Sequence, residues 1–309
     1  MRNSIYNPNI ILFFLSALLA GPVLGQAYEK SKADSLRESG DLKLAIEEYH
    51  KLYLEDPDNN TNTYNYACAL ALDQQIDSAF HYVRIATAED TSVQALNDPD
   101  FYFLIDDERW SELEDELVER VEAKYGEYPD LPLSKELWKM KIKDQAFYYH
   151  IRIANEKVGR ESPLVSAIWE LKRKLNDNNL KRIEEIIETH GWPKSSVVKG
   201  SAANAVFLVI QHADIETQKK YLPLMKEAAN NGEASWSALA LLIDRVNLRE
   251  GRQQIYGSQI YMNEDGSYYV KDLKEPEYVN QRRKEVGLGP IQEYVQRWGI
   301  EWDIEQKEK

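Results

Sequence analysis

The run Ala202-Ala203-Asn204-Ala205-Val206-Phe207-Leu208-Val209-Ile210 ends in Gln211-His212-Ala213-Asp214, and Ala238-Leu239-Ala240-Leu241-Leu242-Ile243 leads straight into Asp244-Arg245. Both read as buried helices, near 201–213 and 233–249. Charges and amides at the ends of buried helices are costly unless partnered or used. The stretch from Gly200 to Gln259 is therefore where a functional site is to be sought.

Working outward, Asp214 is placed as N-cap of a helix over 215–230, with Glu216 near its positive end. Upstream, helices are expected near 134–157 and 163–190. Ser162-Pro163 opens the second and Gly191-Trp192-Pro193 closes it. Within it Ile168, Leu171 and Leu175, then Ile183, Ile186 and Ile187, keep a helical period. Downstream, Gly251 breaks the helical run. Residues 255–261 and 268–270 read as two strands around the turn Asn263-Glu264-Asp265-Gly266. Pro276 starts a helix that Gly287 ends, and Pro290 opens a last one reaching Trp298. Trp298 and Trp302 are suited to docking the C-terminus or to stacking on a sugar or peptide.

The first hundred residues have a different grammar. Ala33-x-x-Leu36, Gly40-Asp41-Leu42, Ala45, Tyr49 and Pro57 are followed 34 residues on by Ala67-x-x-Leu70, Ile76, Ala79 and Val83. A third, degenerate unit opens at Asp98-Pro99-Asp100-Phe101. Ser111-x-x-Glu114 reads there as a capping box for a helix to Tyr125, with Leu113, Leu117 and Val121 as its buried stripe and Gly126 as its C-cap. The 34-residue period with small residues at helix crossings resembles tetratricopeptide repeats. Gly40, Ala45, Tyr49 and Pro57 fall where that family has its turn glycine, packing alanine, aromatic and closing proline. The second copy departs from the pattern, with Gln74 for the glycine and Thr91 for the proline. The resemblance implies a concave groove for a protein or peptide partner, or else a spacer. The expected fold is mainly α: a short tetratricopeptide-like solenoid (26–125), a two-proline linker (126–133), a helical domain with one small β-hairpin (134–303) and a charged tail (304–309).

Arg2, the apolar run from Ile10 to Ala20 and Val23-Leu24-Gly25 read as a secretion signal cleaved near Gly25. The run of 11 residues is short for a bilayer, which takes about 20. The mature chain is expected to be periplasmic or secreted, without a stable membrane anchor. Residues 26–125 carry 24 acidic and 9 basic side chains, a balance of −15, whereas 126–309 carry 28 of each. So acidic a first module disfavours nucleic acid and anionic lipid. The single cysteine, Cys68, excludes an intrachain disulfide and reads as a small buried hydrophobe.

The familiar catalytic signatures are missing: no Gly-x-Ser-x-Gly, Walker A loop, Gly-x-Gly-x-x-Gly or His-Glu-x-x-His. The five histidines offer no pair at metal-ligand spacing, so neither metal nor cofactor is expected. Ser196-Val197-Val198-Lys199 matches Ser-x-x-Lys, but the partner motifs of that chemistry are lacking and Gly200 interrupts the helix. His212 with Asp214 or Asp244 forms a candidate acid–base group. Asp214 as N-cap and a core-packed His212 is the structural alternative. Arg245, Gln254, Tyr256, Gln259, Arg282 and Arg283 are candidates either for gripping a small anionic ligand or for closing a polar network with Asp244. Gly191-Trp192-Pro193, Gln211-His212-Ala213-Asp214, Asp244-Arg245, Gln254-x-Tyr256-Gly257-x-Gln259, Arg282-Arg283 and Gly287-Leu288, in that order over about 135–300, resemble a bacterial domain family known only as a domain of unknown function. That resemblance implies no activity. The leading expectation is a binding or scaffolding role, and the alternative is an enzyme built on His212.

Overall fold

The computed structural model describes residues 30–308, which divide into two compact units, 30–212 and 213–308. The secretion signal read in residues 1–25 lies outside the described residues. The fold is mainly α with one small hairpin, and among the described residues no helix is long and apolar enough to cross a membrane.

Unit 30–212 begins with α1 (Lys32–Glu38), α2 (Leu42–Glu55), α3 (Asn60–Leu72) and α4 (Ile76–Ala86), each packed on the next. Ala45, Tyr49, Ala67 and Ala79 are fully buried where these helices meet. Gly40 takes φ +80°, and Gln74, 34 residues later, takes the same left-handed conformation with φ 59°. A Cβ on Gly40 would stand 2.5 Å from Ile153 Cγ2. Gly40→Ala therefore meets both strain and a clash, and its expected cost is about 1–3 kcal/mol in chemical denaturation.

Two 3-10 turns follow, Ala95–Asn97 and Pro99–Leu104, and the second packs on α3. Helix α5 runs Arg109–Tyr125, starting two residues before the expected Ser111. The capping box does not form. Asp107 accepts the Arg109 amide at 3.0 Å, and Glu114 instead accepts from the indole of Trp110 at 3.0 Å.

The helix expected over 134–157 is two helices, α6 (Leu131–Gln145) and α7 (Tyr148–Val158). Phe147 between them takes φ 70°, which an α-helix cannot accommodate. Helices α8 (Pro163–His190) and α9 (Ser195–His212) complete the unit, and α6 packs on both. Helix α9 begins earlier than expected and kinks at Lys199 (φ 59°). The Lys199 ammonium donates to Gly126 O at 2.6 Å and lies over the Tyr128 ring.

Unit 213–308 packs α10 (Ile215–Asn230) on α11 (Trp236–Arg249) and adds β1 (Ile260–Met262) and β2 (Tyr268–Val270), antiparallel with Ile260 opposite Val270. The strand expected over 255–261 is confined to its last residues, because the amides of Ile255, Tyr256 and Ser258 are held by Asp244. Short helices α12 (Val279–Glu285) and α13 (Ile291–Gln296) cover a core of Ile260, Val279, Ile291, Tyr294 and Val295. Trp298 and Trp302 pack, half-buried, against that core. The tail docks on the start of α12, where Gln306 Oε1 accepts the Asn280 amide at 3.1 Å.

Candidate acid–base site

Four elements of unit 30–212 bring one polar group together. Helix α6 ends in Asp144-Gln145, the left-handed Phe147 turns the chain, and Tyr148 opens α7. Helix α8 contributes Lys172, and α9 delivers Gln211-His212 at its C-terminus. The Asn179 amide of α8 donates to Met140 O of α6 at 3.0 Å and fixes the spacing of the two helices. Phe147 is pinned by its ring, which packs against Tyr102, Phe103 and His150. A non-glycine residue held at positive φ by packing is stored strain of about 1–3 kcal/mol, and such strain clusters at functional sites.

Asp144 is 0 % exposed, and its Oδ1 lies 2.7 Å from His212 Nδ1. Its Oδ2 accepts from the Gln145 amide at 2.5 Å, and its main-chain oxygen accepts from the Lys172 ammonium. Lys172 is 1 % exposed and lies 4.0 Å from the centroid of the Tyr148 ring. That ring also sits edge-on to His212, with centroids 6.3 Å apart, and to Trp169.

Burial alone would push the Asp144 carboxyl up, but His212, Lys172 and the Gln145 amide together hold it below the usual carboxylate range. Burial pushes the Lys172 amine down to about 8, against the opposing pull of Asp144. With Asp144 ionised, Nδ1 of His212 carries the proton it donates. Nε2 is then the nitrogen that takes up or releases one. A histidine oriented by a buried carboxylate is the arrangement of a general base.

His212 thus takes Asp144 as its carboxylate, a residue the sequence reading did not single out. Asp214 caps α10, accepting the Thr217 amide at 2.8 Å. Asp214→Ala is accordingly expected to lower stability by about 1 kcal/mol in thermal melts and to leave the His212–Asp144 geometry unchanged.

The other predicted site residues meet in unit 213–308. Asp244, fully buried on α11, accepts the amides of Ile255 (2.6 Å), Tyr256 (3.1 Å) and Ser258 (2.9 Å). Burial pushes its carboxyl up, and those amides pull it back without reversing the direction. Gln254 grips Gln259 twice, accepting its amide at 2.7 Å and donating to its carbonyl at 3.0 Å. Arg245 donates to the Gln259 side chain at 3.2 Å. Arg282 donates to the carbonyls of Ile255 (2.8 Å), Glu275 (3.2 Å) and Lys274. Arg283 donates to Gly289 O (2.6 Å) and Tyr256 O (2.8 Å). Tyr256 enters through its backbone. These bonds close a polar network around the loop 251–259, in which both adjacent arginines hold main-chain oxygens.

A third polar cluster joins α1, α3 and the turn Pro99–Leu104. Cys68 Sγ and carboxylate oxygens of Asp98 and Asp100 lie within 4.8 Å of one another. Arg37 already reaches Asp100 at 3.3 Å, and Tyr64 donates to Asp98 at 2.9 Å. Burial pushes both carboxyls and the Cys68 thiol up, which weakens all three as metal ligands. The cluster is a half-buried charge network beside a buried cysteine.

No curated protein and no solved structure matches the chain. A model of the family of unknown function DUF6624 matches residues 129–304, more than half of the sequence, and covers Asp144, Lys172 and His212 as well as the Asp244 network. The chain belongs to that family.

Proposed function

We propose that this protein is an enzyme whose reaction turns on proton transfer at His212, acting outside the cytoplasm after removal of the signal read in residues 1–25. The observation that carries this reading is the 2.7 Å contact of His212 Nδ1 with the fully buried Asp144. A carboxylate that is buried and kept ionised fixes both the tautomer and the ring plane of its histidine, and a general base needs both. The strained turn at Phe147, three residues from Asp144, supports the same reading. A small anionic ligand at Arg245, Arg282 and Arg283 has less support, since Arg282 and Arg283 are bound to carbonyls and Arg245 to an amide oxygen.

The test is a screen of the purified protein on chromogenic esters, phosphoesters and glycosides and on small carbonyl compounds, with each hit repeated on His212→Ala. The variant is expected to lose about 10²–10⁴-fold in kcat while its melting temperature moves little. An unchanged rate together with a clear drop in melting temperature would make His212 a packing residue and sink the proposal.

Protein binding through residues 26–125 is a second reading, favoured by the acidity of that stretch and by Leu44 and Leu54, which stand exposed on α2. A pull-down with the full chain tests it: failure to retain any partner at moderate salt removes it.

A further inference from the structure

The residue left over from the acid–base pair is Lys172. A lysine buried for structure alone ordinarily meets a carboxylate. Here the Asp144 carboxylate attracts the charge of Lys172 but takes its hydrogen bonds from His212 and Gln145, and the Lys172 nitrogen donates to the neutral main-chain carbonyl of the same residue. Its other neighbour is the face of the Tyr148 ring. An uncharged amine satisfies both contacts through N–H groups and keeps its lone pair. Lys172 and His212 are thus both hydrogen-bonded to Asp144 and both lie against the ring of Tyr148.

We infer that Lys172 is a nucleophilic amine that captures the carbonyl carbon of a small aldehyde or ketone as an imine, with the His212–Asp144 pair moving the protons. This rests on the acid–base reading of His212. The lone pair of Nζ forms the C–N bond, and the carbonyl π electrons move to oxygen, which takes a proton. The nitrogen gives up a proton, relayed by a water molecule, to His212 Nε2. The resulting imidazolium returns it to the hydroxyl, which leaves as water while the nitrogen lone pair forms the C=N bond. The sum is one amine and one carbonyl converted to one protonated imine and one water, with one proton taken up from solvent. Burial supplies what such chemistry needs: with the amine held at about 8, roughly a tenth of it is free base at pH 7, against well under a thousandth for an ordinary lysine. The same burial restricts the partner to a small carbonyl compound.

The test treats the full-length protein at pH 7 with limiting acetaldehyde or acetone and sodium cyanoborohydride. Cyanoborohydride delivers hydride to the imine carbon and makes the adduct permanent, and peptide mass mapping locates it. The expected result is that Lys172 is alkylated at least about tenfold faster than Lys174, whose side chain is 69 % exposed, and that the preference disappears in urea. Labelling of Lys172 slower than that of Lys174 would overturn the inference, whatever His212→Ala does to turnover. A second arm repeats the labelling on His212→Asn. A several-fold slower capture at Lys172, with Lys174 unchanged, supports the coupled mechanism. Fast capture that ignores the substitution keeps the amine assignment and removes His212 from it.

Discussion

Asp144→Ala is expected to destabilise the protein by about 3–5 kcal/mol, the cost of removing a buried carboxylate and leaving its two side-chain hydrogen-bond donors unpaired. The carboxylate is fully buried, accepts from His212 Nδ1 at 2.7 Å and from the Gln145 amide at 2.5 Å, and holds Lys172 through its main-chain oxygen. Alanine keeps that last bond and removes the other two, so the loss falls on His212 and Gln145. Asp144→Asn preserves shape and one acceptor, and about half the destabilisation is expected. Any turnover that depends on His212 should fall with both variants, because neither fixes the imidazole tautomer as the carboxylate does. Urea denaturation of the two variants checks the order; an Asp144→Ala protein as stable as the parent would show that the pair contributes nothing.

The same pair sets a pH dependence with a definite sign. The folded Asp144 carboxyl lies below its unfolded value of about 3.9. Its contribution to stability is therefore fully present above that unfolded value and is lost as pH falls through the lower, folded one. The parent protein should lose stability on acidification below about pH 4, and the Asp144→Ala curve should be flatter across that window. Denaturant midpoints taken from pH 7 down to pH 3 give the comparison. Equal slopes would assign the acid loss to other carboxylates.

How much of this was legible in the sequence differs from element to element. The helix ends marked by Asp214, Ser162-Pro163 and Gly191 are local signals, and the helices start or stop there. The buried face of α8 was legible only in part: Ile183, Ile186 and Ile187 are buried, as their spacing implies. Ile168, Leu171 and Leu175 share the helical period, yet Leu171 is 51 % exposed. The seam that is buried runs Val165, Lys172, Asn179 and Ile186, at seven-residue spacing, with two polar residues in it. A hydrophobicity pattern skips those two by construction, and they are the ones that reach Asp144 and Met140. Lys172 and Asn179, set a heptad apart between Val165 and Ile186, are the signal that would have found the site.

Asp144 was hidden for a related reason. The carboxylate beside His212 in the sequence is Asp214, whereas its partner is 68 residues upstream. A negative charge in the last turn of a helix opposes the helix dipole, so Asp144 at the end of α6 is locally unfavourable. It is accounted for only by the tertiary contacts with His212 and Lys172. The break after it is likewise invisible to propensity, because Ala146-Phe147-Tyr148 carries no glycine or proline. The packing of the Phe147 ring decides the backbone there. By contrast, the convergence of Asp244, Arg245, Gln254, Gln259 and Arg283 follows from their cost when buried, since each needs a partner and the loop 251–259 supplies backbone donors and acceptors.

Asp244→Ala should be the most damaging change in unit 213–308, at about 3–5 kcal/mol. Three backbone amides, those of Ile255, Tyr256 and Ser258, point at this one carboxylate at 2.6–3.1 Å. Each would be left buried without an acceptor, at about 1–3 kcal/mol apiece before relaxation. The carbonyls of the same loop are held from the other side, by Arg282 at Ile255 and by Arg283 at Tyr256, so the loop cannot turn to find new partners without breaking those bonds too. The damage is therefore expected to extend beyond the loop to α12, which carries both arginines. Hydrogen exchange reads this directly. In Asp244→Ala the amides of 255, 256 and 258 should lose protection first and those of α12 next, while α8 and α9 in the other unit stay protected. Asn at the same position can accept through one oxygen but turns N–H donors toward the remaining amides, so it should fall between the parent and alanine. If the alanine variant keeps full protection at those three amides, the carboxylate is not what shapes the loop. The Arg282 and Arg283 bonds alone would then have to hold it.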